Sequence, residues 1–204
     1  MMHDQFRQQP AILDHLDNCI EQAVTVYLDA VGGCQVTLTT WERRNGCWLP
    51  VCEAAAVIGR SGFIPPADKI EGDGGTPTGV YPLSLVFGYA ATAHTAMPYR
   101  QITVKDYWVD DPASPQYNTW ISGRLQASSW ETMLRTDGLY RHGIVVEYNT
   151  RPVIPGKGSA IFVHLWRGPG EPTSGCVAMA EADLLEIIAW LEPGKRPVIV
   201  LGVQ

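Results

Sequence analysis

His164 and Cys176 are the two side chains whose types and spacing suggest covalent chemistry. His164 lies at the end of an apolar run, and Cys176 follows it by twelve residues, behind a loop rich in Gly and Pro. Such a loop can fold back so that the imidazole and the thiol meet. Because a free thiol has a pKa of about 8.5, an adjacent imidazolium would lower that pKa and raise the thiolate fraction. The pair therefore predicts a cysteine nucleophile that is served by a histidine base.

Gly175 strengthens this prediction, because it stands directly before the cysteine. A glycine lets the backbone turn sharply, so that the N–H groups of Gly175 and Cys176 can point at one spot. Two such donors form an oxyanion hole, whose loss costs roughly 100- to 1,000-fold in rate. On spacing alone, however, a buried structural thiol and a hydrogen-bonded core histidine are the commoner arrangement.

The composition is that of a globular chain and excludes several classes of protein. Of 204 residues, 46% are apolar and 18% are charged, which suits one folded domain. The formal net charge of −6 leaves no basic stripe, so nucleic acid is not an expected partner. No stretch approaches the roughly 20 apolar residues of a membrane span. Residues 1–10 lack the apolar middle of a signal peptide, so we expect none in this chain.

The cysteines indicate neither a metal site nor a disulfide framework. Five are present, and no Cys or His cluster has the spacing of a structural metal site. Cys47 and Cys52 are expected on one strand, about 16 Å apart at their Cα atoms, whereas a disulfide needs less than about 7 Å. An odd count leaves at least one thiol free, which directs attention to Cys176.

The elements that must position this pair are mostly predicted strands. Asn45-Gly46 favours a type I′ turn between two apolar runs, residues 35–43 and 47–59. Further strands are predicted near residues 23–28, 80–85, 144–148, 160–165 and 197–203, with a turn at residues 29–33 and a new element beginning at residues 176–179. A helix is predicted over residues 181–191 and a short one over residues 10–20. Residues 106–120 are expected to form an ordered loop.

The pattern predicts one mainly β domain with a few short helices. Gly and Pro together number 35, and this excess indicates many tight turns between short elements. We place an N-terminal extension or short helix at residues 1–22 and a catalytic domain at residues 23–204.

The motifs around the pair, taken together, resemble the YkuD-type L,D-transpeptidase family. That family's core motif is a His, a loop, and then Ser/Thr-His-Gly-Cys, which matches His164 and residues 173–176 (Thr-Ser-Gly-Cys). Its upstream Thr-Pro-x-Gly element matches residues 76–79. The resemblance covers roughly residues 24–202 and points to an atypical proteobacterial branch.

The resemblance implies a β-sandwich-like catalytic domain that acts on peptidoglycan stem peptides in the periplasm, without a metal or cofactor. Cys176 would attack the carbonyl between an L-centre and the following D-residue, and His164, oriented by the Leu165 carbonyl, would carry the proton. An amine from a second stem would then resolve the thioester, giving cross-links of the 3-3 or 1-3 type. Carbapenem-type β-lactams would be possible covalent inhibitors.

Two positions depart from the family pattern. Ser174 replaces the motif His before Gly-Cys, and Ala178 replaces a frequent Arg two positions after the cysteine. Nucleophile and base are retained, so the departures bear on how the substrate is held. Arg167, Arg141 or Arg151 are the candidates to supply the missing guanidinium.

Neighbouring residues are candidates for substrate contact. Trp166 and Arg167 directly follow the base and are expected to edge the site. Tyr148 and Asn149, at the end of a predicted strand, and His142, at the start of it, are further candidates, with ordinary structural roles as the alternative. Thr76–Gly79 is interpreted as a structural turn near the site.

Other functions stay open at this point. Water as the acceptor would make the same site an L,D-carboxypeptidase. A non-catalytic wall-binding relative is a second alternative, but a binding module would need neither Cys176 nor His164. A papain-like protease would have its Cys before its His, and the order here is reversed.

Overall fold

A computed structural model describes residues 9–28 and 33–202, and its chain is built mainly from strands. The strands are Gln22–Leu28 (β1), Gln35–Arg44 (β2), Cys47–Val57 (β3), Phe63–Ile64 (β4), Thr76–Pro77 (β5), Gly79–Gly88 (β6), Tyr99–Gln101 (β7), Asp106–Val109 (β8), Trp120–Ser122 (β9), Trp130–Thr132 (β10), His142–Val146 (β11), Phe162–Leu165 (β12), Val177–Met179 (β13) and Val198–Leu201 (β14). One α-helix spans Glu181–Trp190 (α1), and 3₁₀ turns span Ala11–His15 and Pro193–Lys195. The prediction of a mainly β domain with a few short helices is confirmed.

The main sheet of the described residues contains nine strands in the order β11-β12-β13-β3-β2-β1-β14-β6-β7. β11 also pairs with β6, so the eight strands from β11 to β6 form a closed ring and β7 extends from β6 outside it. The layers of the sandwich therefore belong to one continuous sheet that closes on itself. Within it, β12 and β13 run parallel.

The predicted hairpin is confirmed at the start of this sheet. β2 and β3 pair antiparallel on either side of Asn45-Gly46, and both turn residues have positive φ (52° and 83°), as a type I′ turn requires. Cys47 and Cys52 share β3, as expected, and all five cysteines of the chain carry free thiols.

β12 is buried on both faces, which explains its nearly continuous apolar sequence. Val163 and Leu165 point into the larger core together with Leu184 and Ile188 of α1. Phe162, on the opposite face, packs in a second core with Phe87, Trp108 and Tyr140. Because side chains alternate along a strand, His164 shares the face of Phe162.

A small three-stranded sheet, in the order β10-β8-β9, covers this second core. The prediction of a loop at residues 106–120 is therefore wrong at its two ends, which form β8 and the start of β9. These strands have three or four residues each, too few to give a recognisable alternation. Trp108 is buried among the aromatic side chains of the second core.

The predicted helix over residues 10–20 is much shorter than expected. Only Ala11–His15 is helical, and it is a 3₁₀ turn. Its Leu13 is buried beside Trp41 and Trp48, and the Trp48 indole donates to the Leu13 carbonyl at 2.9 Å. These contacts attach the segment to the main sheet.

Some sequence predictions fall outside the described residues. The predictions for residues 1–8, which belong to the proposed N-terminal extension, lie outside them. So do residues 29–32 of the predicted turn and residue 203 of the predicted final strand. Within the residues that are described, no helix has both the length and the apolar character needed to cross a membrane.

Candidate active site

The parallel pairing of β12 and β13 brings the histidine, on β12, near the cysteine, which directly precedes β13. His164 is opposite Ala178 in the register, and Cys176 immediately precedes β13. Both side chains line one cleft of about 280 Å³, below the small three-stranded sheet. The loop between the two residues therefore folds back as the sequence predicts.

The imidazole of His164 is fixed by its own chain. Its Nδ1 lies 2.7 Å from the carbonyl oxygen of Leu165, and a carbonyl only accepts, so Nδ1 carries the proton and Nε2 is the acceptor. The ring of Tyr140 packs edge-on against it, with centroids 5.2 Å apart. Burial lowers the pKa of His164 from 6.5 to about 4, so the imidazole is neutral at neutral pH.

The thiol of Cys176 is buried and held by two backbone groups. Its Sγ donates to the Ala160 carbonyl at 3.2 Å and accepts from the Phe162 N–H at 3.3 Å. Burial, reinforced by the negative charge of Glu131, raises the pKa of Cys176 to about 12. The expectation that an imidazolium lowers this pKa is therefore wrong. Both side chains are held neutral because each loses its hydration.

The distant Thr-Pro-Thr-Gly element touches the nucleophile loop directly. The Thr76 hydroxyl donates to the Gly175 carbonyl at 2.8 Å and accepts from the Gly59 N–H at 2.9 Å. Gly175 itself has φ of 144°, and a Cβ there would lie 3.0 Å from the Gly75 carbonyl oxygen. The turn before Cys176 therefore requires glycine, and Thr76 holds it in place.

The two backbone donors predicted for the oxyanion are not equivalent in this structure. The Gly175 N–H donates to the Thr173 hydroxyl at 3.1 Å, and that hydroxyl donates to the Cys176 carbonyl at 2.6 Å. The Thr173 side chain therefore joins two backbone groups of the same turn. The Gly175 N–H would have to exchange this bond before it could bind an oxyanion.

Ser174, at the position of the family's second histidine, lies exposed at the rim of the cleft. Its hydroxyl accepts from Arg60 Nη1 at 3.2 Å, and Arg60 Nη2 reaches the Gly72 carbonyl at 3.4 Å. No local pattern singles out Arg60, which is 114 residues away from Ser174 in the chain. The bridge between Gly59 and Thr173 brings the two segments together.

Of the candidate cations, only Arg167 lines the cleft. It is half-exposed and lies 3.5 Å from Asp137, while Trp166 lines the cleft beside it. Arg141 pairs instead with Glu181 at 3.3 Å, and Arg151 lines a different depression. Ala178, where the family often has an arginine, is a small buried side chain of the cleft.

Three other predicted contact residues lie outside this cleft. Tyr148 is buried in the larger core, where its hydroxyl donates to the Lys157 carbonyl at 2.5 Å. Asn149 has φ of 52°, and its side chain bonds Ile154 and Gly158 at 2.8 to 2.9 Å. His142 lies with its Nε2 3.3 Å from Glu181. Each of these side chains has a structural partner away from Cys176.

Several residues that the sequence does not single out also line the cleft. Tyr140 packs on His164, its hydroxyl donates to Glu131 at 2.5 Å, and the Arg135 guanidinium lies 5.1 Å from the ring centre. The preceding residue, Leu139, accepts the Leu165 N–H at 3.1 Å. Arg135 and Tyr140 belong to the segment between β10 and β11, and Glu131 to β10, none of which has a readable pattern. No group of three or more His, Cys, Asp or Glu in residues 9–28 and 33–202 is placed to hold a metal ion.

Comparisons with known proteins identify several relatives of part or most of the chain. Bd1075 of Bdellovibrio bacteriovorus matches with 14% identity and a TM-score of 0.46, over 89% of this chain and 49% of that one. The helical cell shape determining protein Pgp2 from Campylobacter jejuni matches with 17% identity and a TM-score of 0.47, over 90% and 48%. Methionine aminopeptidase 2-1 of Chaetomium globosum is 27% identical over 137 residues, 66% of this chain and 29% of that protein. The chain thus spans about half or less of the length of each.

The family model described as YkuD, L,D-transpeptidase catalytic domain, matches residues 35–200. That range contains His164, Cys176, the loop between them and the Thr76–Gly79 element. The chain therefore belongs to the YkuD family of L,D-transpeptidase catalytic domains.

Proposed function

We propose that this protein is a cysteine-dependent L,D-transpeptidase that forms 3-3 or 1-3 cross-links between peptidoglycan stem peptides. The observation that carries the proposal is that Cys176, directly before β13, and His164, on the neighbouring parallel strand β12, line one cleft, with Nδ1 of His164 held by Leu165. A binding module has no need of a thiol and an oriented imidazole at the same site. The family membership supports the same reading.

The first half-reaction starts from a neutral thiol and a neutral imidazole. As Cys176 Sγ attacks the donor carbonyl carbon, Nε2 of His164 takes the thiol proton, so a C–S bond forms and the carbonyl oxygen becomes an oxyanion. The tetrahedral intermediate then breaks its C–N bond. His164 passes the proton to the departing amine, which leaves a thioester on Cys176.

The buried environment fits this order of events. Because the pKa values of Cys176 and His164 are about 12 and about 4, separation of charge before the substrate binds is unfavourable. Proton transfer then accompanies the attack. The Leu165 carbonyl, which accepts from Nδ1, stabilises the imidazolium while it exists.

The oxyanion is assigned to the N–H groups of the nucleophile turn. The Cys176 N–H is the direct candidate, and the Gly175 N–H becomes available when it leaves the Thr173 hydroxyl. Ser174 adds a hydroxyl at the rim. Donors of this kind act by being in place before charge develops.

Substrate contact is assigned to Trp166 and Arg167, which line the cleft. Arg167 is exposed and only loosely paired with Asp137, so its guanidinium is free to grip a stem-peptide carboxylate. It thereby replaces the arginine that the family often has at position 178. Tyr148, Asn149 and His142 are not needed in this role.

The proposal places the reaction outside the cytoplasmic membrane, in the periplasm, where stem peptides are found. It also implies that carbapenem-type β-lactams acylate Cys176, since their strained carbonyl is attacked by the same thiol. No metal or cofactor takes part in either step.

The test is to incubate the protein with purified tetrapeptide and tripeptide stems and to identify the products by mass spectrometry, beside Cys176→Ala. New dimers that depend on Cys176 support the transpeptidase. Shortened monomers without dimers would replace it with an L,D-carboxypeptidase. The absence of any Cys176-dependent product would leave a non-catalytic relative.

A further inference from the structure

Four carboxylates line the cleft. Three of them, Glu71, Asp110 and Glu131, are called the acidic wall here, and the fourth is Glu171. Within the part of the chain that the structure describes, none of them forms an ion pair. Lys69 and Arg135, which also line the cleft, are paired elsewhere, with Asp73 and Asp137 at 2.7 and 2.6 Å.

Each carboxylate of the acidic wall is oriented by a neutral hydroxyl. Tyr117 donates to Glu71, Ser129 donates to Asp110 at 2.5 Å, and Tyr140 donates to Glu131 at 2.5 Å. One hydroxyl leaves most of the acceptor sites of a carboxylate unused. Each carboxylate of the wall is therefore held in position by a hydroxyl and not by an ion pair.

Glu131 is the member that connects the acidic wall to the nucleophile. Burial raises its pKa; the Tyr140 hydrogen bond and the positive charge of Arg135 act against that rise, and the negative charges of Asp110 and Glu71 add to it. The negative charge of Glu131 also raises the pKa of Cys176. The three carboxylates are thus close enough to repel one another, and a cation that enters the cleft relieves this repulsion.

A metal ion does not fit this arrangement, because the three carboxylates are not grouped closely enough to hold one. An ammonium group needs only one or two well-oriented carboxylates and further acceptors nearby. The Ser159 hydroxyl is buried among the cleft residues and has no hydrogen-bond partner of good geometry among the described residues. This hydroxyl can therefore form a hydrogen bond with a ligand in the cleft.

We propose that the acidic wall binds the acceptor of the second half-reaction as its ammonium form, with Glu131 as the main acceptor-binding residue. The inference rests on the proposed function, because it needs a thioester on Cys176. In this account Arg167 binds a carboxylate of the donor, and the acidic wall binds the cation of the acceptor.

The second half-reaction starts from the ammonium form of the acceptor and the thioester on Cys176. The ammonium gives up one proton to solvent, and the neutral amine attacks the thioester carbonyl. A C–N bond forms and the C–S bond breaks. A second proton passes through His164 to the Cys176 sulfur, and the third remains on the new amide. A carboxylate wall concentrates the amine beside the thioester, which favours aminolysis over attack by water.

The test uses Glu131→Gln, whose amide oxygen can still accept from Tyr140. A tetrapeptide stem serves as the donor, and two nucleophiles serve as acceptors: a tripeptide stem, which is cationic, and hydroxylamine, which is uncharged at mildly alkaline pH. We expect Cys176 acylation to be at least as fast as in wild type, because the substitution removes a negative charge that raises the pKa of Cys176. We expect the KM for the cationic acceptor to rise about tenfold, as for one lost charge-assisted hydrogen bond, with no change for hydroxylamine.

Two further variants separate this role from a structural one. Glu186→Gln removes an exposed carboxylate of α1, far from the cleft lining, and should behave as wild type. Tyr140→Phe removes the hydroxyl while keeping the Glu131 carboxylate, and should retain the low KM for the cationic acceptor. If Glu131→Gln divides the thioester between amine and water as wild type does, the inference is overturned. If the wild-type protein is not acylated at all, the proposed function fails instead.

Discussion

The Nδ1 atom of His164 lies 2.7 Å from the carbonyl oxygen of Leu165, the residue that follows it. This contact fixes both the ring orientation and the tautomer of the base without a carboxylate partner. Nε2 is therefore the atom that receives a proton, and the Leu165 carbonyl takes the part that a carboxylate plays in a triad. Because the contact is made within β12, it survives as long as the strand does.

The first prediction concerns the protonation state of the nucleophile. Burial raises the pKa of Cys176 to about 12, so the thiol is protonated near neutrality. We expect iodoacetamide to modify Cys176 more slowly than the exposed Cys47 at neutral pH. Peptide mapping by mass spectrometry after timed quenching measures both rates in one sample.

Raising the pH should speed the modification of Cys176 without a plateau below about pH 9. A Cys176 rate that exceeds that of Cys47 and is constant down to pH 6 would indicate a preformed thiolate–imidazolium pair, against this account.

The second prediction is a loss of stability in acid that depends on His164. Its pKa is 6.5 when unfolded and about 4 when folded, so between these values only the unfolded chain binds the proton. Stability from this group is complete above pH 6.5 and falls as the pH drops towards 4, by about 3 kcal/mol. Urea unfolding across this range should show a flatter dependence for His164→Gln. The exposed His94→Gln should keep the steepness of wild type.

The third prediction tests the link between the Thr-Pro-Thr-Gly element and the nucleophile turn. Thr76→Val removes the hydroxyl that joins the Gly59 N–H and the Gly175 carbonyl. Both groups are buried, so each unsatisfied partner costs about 1 to 3 kcal/mol in the free energy of unfolding. Acylation of Cys176 should also slow, because the turn is no longer held.

Thr76→Ser retains the hydroxyl and provides the control for this effect. It should restore most of both the unfolding free energy and the acylation rate. Equal acylation rates in the Val and Ser variants would show that the hydroxyl does not position the turn.

The fourth prediction concerns the donor carboxylate. Arg167→Gln should lower kcat/KM for a stem-peptide donor by roughly tenfold or more, as for a lost charge-assisted hydrogen bond. Arg141→Gln removes an arginine that pairs with Glu181 outside the cleft and should leave kcat/KM nearly unchanged. Steady-state kinetics with one donor decides the matter, and an equal effect of the two substitutions would speak against Arg167.

Local sequence patterns predicted much of the main sheet and the central pair of the site. Asn45-Gly46 marks its hairpin because both residues tolerate positive φ. The apolar run before His164 marks β12, and the glycine before Cys176 marks the turn. These features depend on neighbours in the chain and can therefore be read from it.

The remainder of the site depends on contacts between distant segments, which leave no local pattern. Arg60 contacts Ser174 across 114 residues of chain, where Gly59 bridges Thr173. Glu131 reaches the cleft from a strand of three residues. The neutral state of Cys176 follows from burial by the aromatic core, which no spacing rule conveys. Tyr148 and Asn149 were predicted to contact the substrate because they stand at a strand end. In the structure their side chains hydrogen-bond to the backbone of residues 154–158 instead.

The most direct test of the central claim is whether Cys176 becomes acylated. Intact-protein mass spectrometry with a carbapenem and with a tetrapeptide stem, followed by peptide mapping, should find one covalent adduct on Cys176 in the wild-type protein. Cys176→Ala should give no adduct, and His164→Ala should give one much more slowly. Failure of wild type to form the adduct with either reagent, or adducts that map equally to Cys47 and Cys176, would contradict the account.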